Sequence, residues 1–256
     1  MDKWYSNYVE AIRKNLDLNP DDWGFKEDKV YKSILEHVSL DEGRQYLELI
    51  FDECPQLKKH KNLLYEICLE NDKYGSAQKY DFENFGMCSP SNLRYIYHSL
   101  LIISHMFECK LNDIDVIEIG GGYGGLCLFL HRLAYLFGIN LKSYSGFDLP
   151  DALNLQSKYL KECNIDFNQQ YLDTDIQLNK NSYLISNYAY SEISSELQTK
   201  YTDQVLNPFI SHGFLAWNNN NLWEFINNKK IKTIKEIPST SSRINNLYVY
   251  IEPKEK

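Results

Sequence analysis

Apolar positions recur at helical spacing near the start of the chain. Ile34, Leu35, Val38 and Leu40 are followed by Tyr46, Leu47, Leu49 and Ile50, close to a period of 3.6 residues. Asp41-Glu42-Gly43 punctuates the two segments and Pro55 ends the second. A further helix, LLYEICLEN, ends near Asn71. Residues 1–73 therefore read as a helical N-terminal appendage. Residues 74–92, YGSAQKYDFENFGMCSPSN, read as a long loop of the kind that forms lids or clamps, with a packed surface connector as the alternative. Ser89 stands at an N-cap and Pro90 at the first position of the helix SNLRYIYHSLLIISHMF. Residues 74–110 are thus expected to be a lid loop and a helix covering a site.

The pattern changes after Asp113. DVIEIG, SYSGFDL, DFNQQYL, SYLISNYA and GFLAWN read as strands separated by helices. IKTIKEI and NLYVYIEP read as a closing antiparallel pair. Strands alternating with helices predict an α/β fold over 111–256: a Rossmann-like, mostly parallel sheet with helices on both faces.

The stretch DVIEIGGGYGG, Asp115 to Gly125, sits where the first strand meets a helix. Gly120, Gly122 and Gly125 fit a dinucleotide fingerprint. Glu118, Gly120, Gly122 and Gly124 fit the fingerprint of S-adenosyl-L-methionine (SAM) binders. Physics favours SAM. A pyrophosphate is anionic and suits a helix N-terminus, whereas SAM carries a sulfonium and an amino group that suit the carboxylate of Glu118. Asp148, ending the second strand, is placed to accept ribose hydroxyls from either ligand, so NAD stays open as the alternative.

Five pieces occur in order: NDKYGS, SPSNLRYIYHSL, IEIGGGYGGLC, FDLPDALNLQSKYL and SNYAYSEISSELQTKY. Together they resemble the sugar O-methyltransferase family of polysaccharide biosynthesis, over residues 71 to 216. The resemblance implies a class I SAM-dependent methyltransferase sheet, SAM as donor and a glycan hydroxyl as acceptor. It implies Glu118, Gly120, Gly122, Tyr123, Asp148, Leu149, Ser186 and Asn187 at the cofactor. It implies Arg94 over the site and Tyr188, Tyr190 and Ser191 on the acceptor side; Trp217, just beyond the resemblance, is an aromatic suited to stacking on a sugar ring.

A sugar hydroxyl must lose its proton as it is methylated, so a positioned base is wanted. Glu192 is the first candidate, His98 the second. Glu192 also stands near a helix N-terminus, where a carboxylate has a structural use. His98 and His105 are seven residues apart on one helix face, and His131 and His212 read as packing or turn residues. Trp223 and Asn218 to Asn221 add aromatic and amide groups suited to a sugar. There is no H-x-x-x-H and no carboxylate cluster, so no metal ligand is assigned. A divalent ion held by scattered residues is the open alternative. N-methylation of an aminosugar or nucleobase is a second reading; Asn187 to Tyr190, N-x-x-Y, resembles the motif of methyltransferases acting on nucleobase amines. A non-catalytic SAM-fold subunit is a third.

Composition narrows the partners. The chain has 256 residues, 43% of them apolar, and a net charge of -8. Acidic balance without a clustered basic patch disfavours nucleic acid and anionic membrane as partners. The expected partner is a sugar or nucleotide sugar, with a homo-oligomer conceivable through the N-terminal helices. Six cysteines without a C-x-x-C, no apolar leader and no long apolar run point to a cytoplasmic protein with reduced thiols.

Overall fold

The computed structural model describes residues 3–218, 229–238 and 246–254. It divides into two compact units. The first holds Met1–Ser104, Gly122–Phe137 and Pro150–Ile165; the second holds His105–Gly121, Gly138–Leu149 and Asp166–Lys256.

The first unit is mainly helical. It contains α1 (Lys3–Leu16), α2 (Lys29–Ile34), α3 (Leu40–Glu53), α4 (Lys61–Asp72), most of α5 (Pro90–Glu108), α6 (Gly125–Leu136) and α7 (Pro150–Glu162). The N-terminal segment is thus built together with helices that follow the glycine loop. Asp41-Glu42-Gly43 does not interrupt a helix, as the sequence suggested. The break comes earlier, because Ser39 caps α3. Its side chain accepts from the Glu42 NH at 3.2 Å, and Glu42 accepts from the Ser39 NH at 2.7 Å. Such a reciprocal capping box outweighs a glycine in the first turn. Gly43 is needed there because a Cβ would stand 2.8 Å from the Phe82 ring. Residues 74–92 are also more ordered than a plain loop. They contain the hairpin β1 (Tyr80–Phe82) and β2 (Gly86–Cys88). Ser89 does precede α5, but its hydroxyl donates to Glu36 at 3.1 Å.

The second unit is a seven-stranded sheet: β3 (Asp113–Ile119), β4 (Asn140–Phe147), β5 (Asn168–Gln170), β6 (Ser182–Asn187), β7 (Ile210–Trp217), β8 (Lys230–Lys235) and β9 (Leu247–Glu252). The order across it is β5-β4-β3-β6-β7-β9-β8. The first five strands in that order are parallel; β9 and β8 close the sheet antiparallel. The alternation read after Asp113 therefore holds, including the final pair. Six of the seven residues of β3 are buried, as expected of a central parallel strand. The core of this unit packs Ile117, Phe147, Leu184, Tyr190, Trp217 and Val249 together. After β6 come α8 (Ala189–Glu192), α9 (Ser195–Tyr201) and, beyond a π-helical turn at Thr202–Leu206, α10 (Asn207–Phe209). The single helix expected here is continuous in sequence but carries that wider turn.

Candidate active site

In the second unit, sheet order reverses between β3 and β6. Ligands of open α/β sheets sit beyond the carboxyl ends of the strands at such a switch point. The two strand ends are tied there: Ser186 Oγ donates to Ile119 O at 2.8 Å and accepts from the Tyr190 NH at 3.0 Å. Gly120 follows β3 with φ +78°. A Cβ on it would lie 2.0 Å from the Ala189 Cβ, so only glycine lets the two loops meet.

Two carboxylates stand on neighbouring strands at this end. Glu118 is paired in register with Gly146 and is buried, accepting from the Tyr144 hydroxyl at 2.9 Å. Asp148, half-buried, directly follows β4. Its Oδ1 accepts from the Leu149 NH at 2.7 Å, which fixes the carboxylate. Burial pushes the nearby Tyr201 phenol up, and the charge of Asp148 adds to the rise.

A second group of polar residues follows β6 and β7. Tyr188 holds φ +67°, an uncommon conformation for a non-glycine residue. It leads into α8, and its hydroxyl donates to Glu236. Glu236 is buried and also accepts from Asn246 Nδ2 at 2.5 Å. Ser191 Oγ lies 2.7 Å from Tyr188 O and 2.8 Å from Asn218 Oδ1. Asn218 Nδ2 donates to Glu192 Oε1 at 2.5 Å. Glu192 is exposed. Asn187 is half-buried at the end of β6.

Two residues expected to meet an acceptor lie elsewhere. Tyr190 and Trp217 are buried in the core with ring centroids 6.0 Å apart, and the Tyr190 hydroxyl is 2.9 Å from Thr202 Oγ1. A large apolar ring gains more from burial than a wet surface returns. Trp223 and Asn219 to Asn221 lie outside the described residues.

In the first unit, the glycine loop continues from Gly122, whose φ is +59°. A Cβ on Gly122 would stand 2.6 Å from Leu35 Cδ1. Tyr123 is wholly buried. Its hydroxyl donates to Glu36 Oε1 at 3.1 Å and accepts from Asn71 Nδ2 at 3.1 Å. Lys26 Nζ sits 4.5 Å from the centre of the Tyr123 ring and donates to Asn71 O at 2.5 Å. Burial pulls the Lys26 ammonium below its usual range, against the charges of Glu36 and Asp72. Burial raises the Asp72 carboxyl, and Lys26 partly offsets it. Arg94, also buried, donates to Leu35 O at 3.0 Å and lies 3.2 Å from His37 Nε2. His98 is fully buried, edge-on to Tyr46 at 6.2 Å.

Sequence reasoning missed Lys26, Glu36, Asp72 and Glu236. Asp72 falls within the piece NDKYGS without its charge being marked there, and the others have unremarkable neighbours in the chain. Their partners lie far away in sequence, so no local signal marks them.

The sheet has a parallel set reversing at β3 and an antiparallel β9 between β7 and β8, the mostly parallel α/β arrangement expected from the sequence. No family model and no curated protein matches the chain. Similar solved structures include magnesium protoporphyrin IX methyltransferase from Synechocystis PCC 6803 with bound SAM, at 11% identity and a TM-score of 0.44, covering 63% of this chain and 81% of that one. A candidate SAM-dependent methyltransferase from Methanococcus maripaludis is similar at 12% identity and TM-score 0.44, over 63% of this chain and 86% of its own. The small RNA methyltransferase HEN1 is similar at 13% identity and TM-score 0.44, over 62% of this chain and 25% of its own.

Proposed function

We propose that the chain is a SAM-dependent O-methyltransferase that methylates a sugar hydroxyl, on a nucleotide-activated sugar or a glycan precursor. The observation that carries the reading is the switch point where Glu118, Gly120 and Asp148 converge on one end of the sheet. The carboxylate of Glu118 beside the close backbone turn disfavours a pyrophosphate and suits a sulfonium and an amino group, while Asp148 suits ribose hydroxyls. Asp148, with Leu149 beside it, would take the ribose; Gly120 and Gly122 would let the backbone approach; Glu118, Ser186 and Asn187 would shape the strand ends around the donor. Tyr123 would brace the loop from its buried side.

Bound there, SAM supplies an electrophilic methyl group. The rest falls to the chain. The acceptor oxygen has to be held in line with the methyl and relieved of its proton as it attacks. Glu192 is the residue for that proton, being an exposed carboxylate already held by Asn218. Tyr188 and Ser191 would orient acceptor hydroxyls. Tyr190 and Trp217 would act from the core, fixing the loop after β6. His98, fully buried, would support α5.

The sugar as acceptor rests on the motif resemblance over residues 71 to 216. Support for a sugar hydroxyl over a nucleobase amine comes from Tyr190. The N-x-x-Y reading needs that ring at the acceptor, and it is spent in the core. The test is a mass-spectrometric screen of nucleotide sugars with SAM, looking for a gain of one methylene. Methylation of an amine but no hydroxyl would overturn the oxygen assignment. Absence of S-adenosylhomocysteine binding in calorimetry would overturn the enzyme itself.

A further inference from the structure

The end of the sheet opposite Glu118 and Asp148 carries a different cluster. It lies within the second unit, where the last turn of α5 meets the start of β6, the start of β7 and the end of β9. His105 and Cys109 are four residues apart at the end of α5, so both point from one helical face. His105 Nε2 lies 3.4 Å from Cys109 Sγ and 3.7 Å from Glu252 Oε1. The three ligand atoms all lie within 4.8 Å of one another. His105 is 2% exposed, and its Nδ1 is 2.8 Å from the Tyr183 hydroxyl.

We propose that His105, Cys109 and Glu252 form a site for one zinc-class divalent cation, remote from the methyl-transfer site.

The geometry fits the ion. A nitrogen and a sulfur bound to a tetrahedral zinc stand about 3.5 Å apart, close to the His105–Cys109 separation, and a nitrogen and an oxygen about 3.4 Å, slightly nearer than His105 and Glu252 stand. The donor set of imidazole, thiolate and carboxylate is that of a borderline-soft cation and is poor for magnesium or calcium. Three protein ligands leave a fourth position for water. Tyr183 supplies the outer contact that metal-bound histidines need. With the proton on Nδ1 directed at the tyrosine oxygen, the Nε2 lone pair faces the other two ligands.

The surrounding charges leave room for the cation. Lys230 Nζ binds Glu252 Oε2 at 3.0 Å, leaving Oε1 for the site. Lys232 pairs with Glu108 at 3.6 Å. His212 stands 6.4 Å away, ring to ring, with its Nδ1 2.8 Å from Ser211 Oγ. The Cys109 proton leaves to solvent as the sulfur–metal bond forms. Such an ion would staple the end of α5 to β9.

The test uses the purified full chain, stripped by a chelator and titrated with zinc against a chromophoric competitor, then with cobalt. One equivalent should bind, and cobalt should give a thiolate charge-transfer band. Cys109→Ser should abolish that band. Cys109→Ser and Glu252→Gln should each weaken zinc by ~10–100-fold or more, and Tyr183→Phe by ~10–100-fold. Cys54→Ser, at another half-buried thiol, should change nothing. Circular dichroism of the metal-free variants checks that each is folded; Cys109 is only partly buried, so its variant should be. Failure of the folded wild type to bind an equivalent, or binding unchanged by Cys109→Ser, overturns the proposal.

Discussion

Two sets of ionisable groups, one in each unit, are held in opposite ways. In the first, Lys26, Glu36 and Asp72 are all less than a tenth exposed, and each is held by partners from distant segments. In the second, Asp148 is half-buried and Glu192 exposed, each held by a short hydrogen bond to a near neighbour or a loop amide. Groups buried with compensating charges stay put. They are costly to remove singly, and they position what they touch, here Tyr123 of the glycine loop. On the proposed reading, the exposed Glu192 is the group that exchanges a proton with an acceptor.

The comparison is most sharply tested at Glu192. Glu192→Gln should lower turnover by ~10²–10⁴-fold while S-adenosylhomocysteine affinity stays put in calorimetry. Wild-type turnover would move the base elsewhere. Lys26→Met should instead act on stability. It leaves Glu36 and Asp72 buried without their cation and should cost about 3–5 kcal/mol, read as a drop in the urea midpoint at constant m. A midpoint within error of wild type would refute the supporting role of the cluster. Asp148→Ala should weaken S-adenosylhomocysteine by roughly 1.5–3 kcal/mol, as for lost hydrogen bonds to a charged group, without moving the urea midpoint. Unchanged affinity would remove its ribose role.

The smallest effect is a pH dependence. Lys26 has its folded pKa pulled below the ordinary 10.5. Within the window between the two values the unfolded chain binds the extra proton, so this residue makes stability rise with pH. The cost of Lys26→Met should therefore grow as pH climbs toward 10.5, compared at matched pH by urea melts. A cost that shrinks would mean the lysine pKa is raised.

Much of this was legible in the chain. Alternation after Asp113 predicted the strands, because a strand buried on both faces must be apolar along its length, as β3 is. The glycine loop was legible because Gly120 and Gly122 adopt backbone angles that side chains resist. The hairpin β1–β2 was hidden, since its two strands are three residues each and pair without a strong alternation. The fates of Tyr190 and Trp217 were hidden for another reason: an aromatic beside a polar loop can face ligand or core, and local pattern does not choose.

The sequence alone determined the mostly parallel sheet, the glycine turn after its first strand and the carboxylates near it, because periodicity and backbone permissiveness are local properties. Tertiary structure alone decided that Lys26, Glu36 and Asp72 gather behind Tyr123, that Glu236 receives Tyr188, and that Glu252 reaches His105 and Cys109. Those meetings join residues tens to more than a hundred positions apart. Charge and coordination depend on distance through space, which the order of residues along a chain does not record.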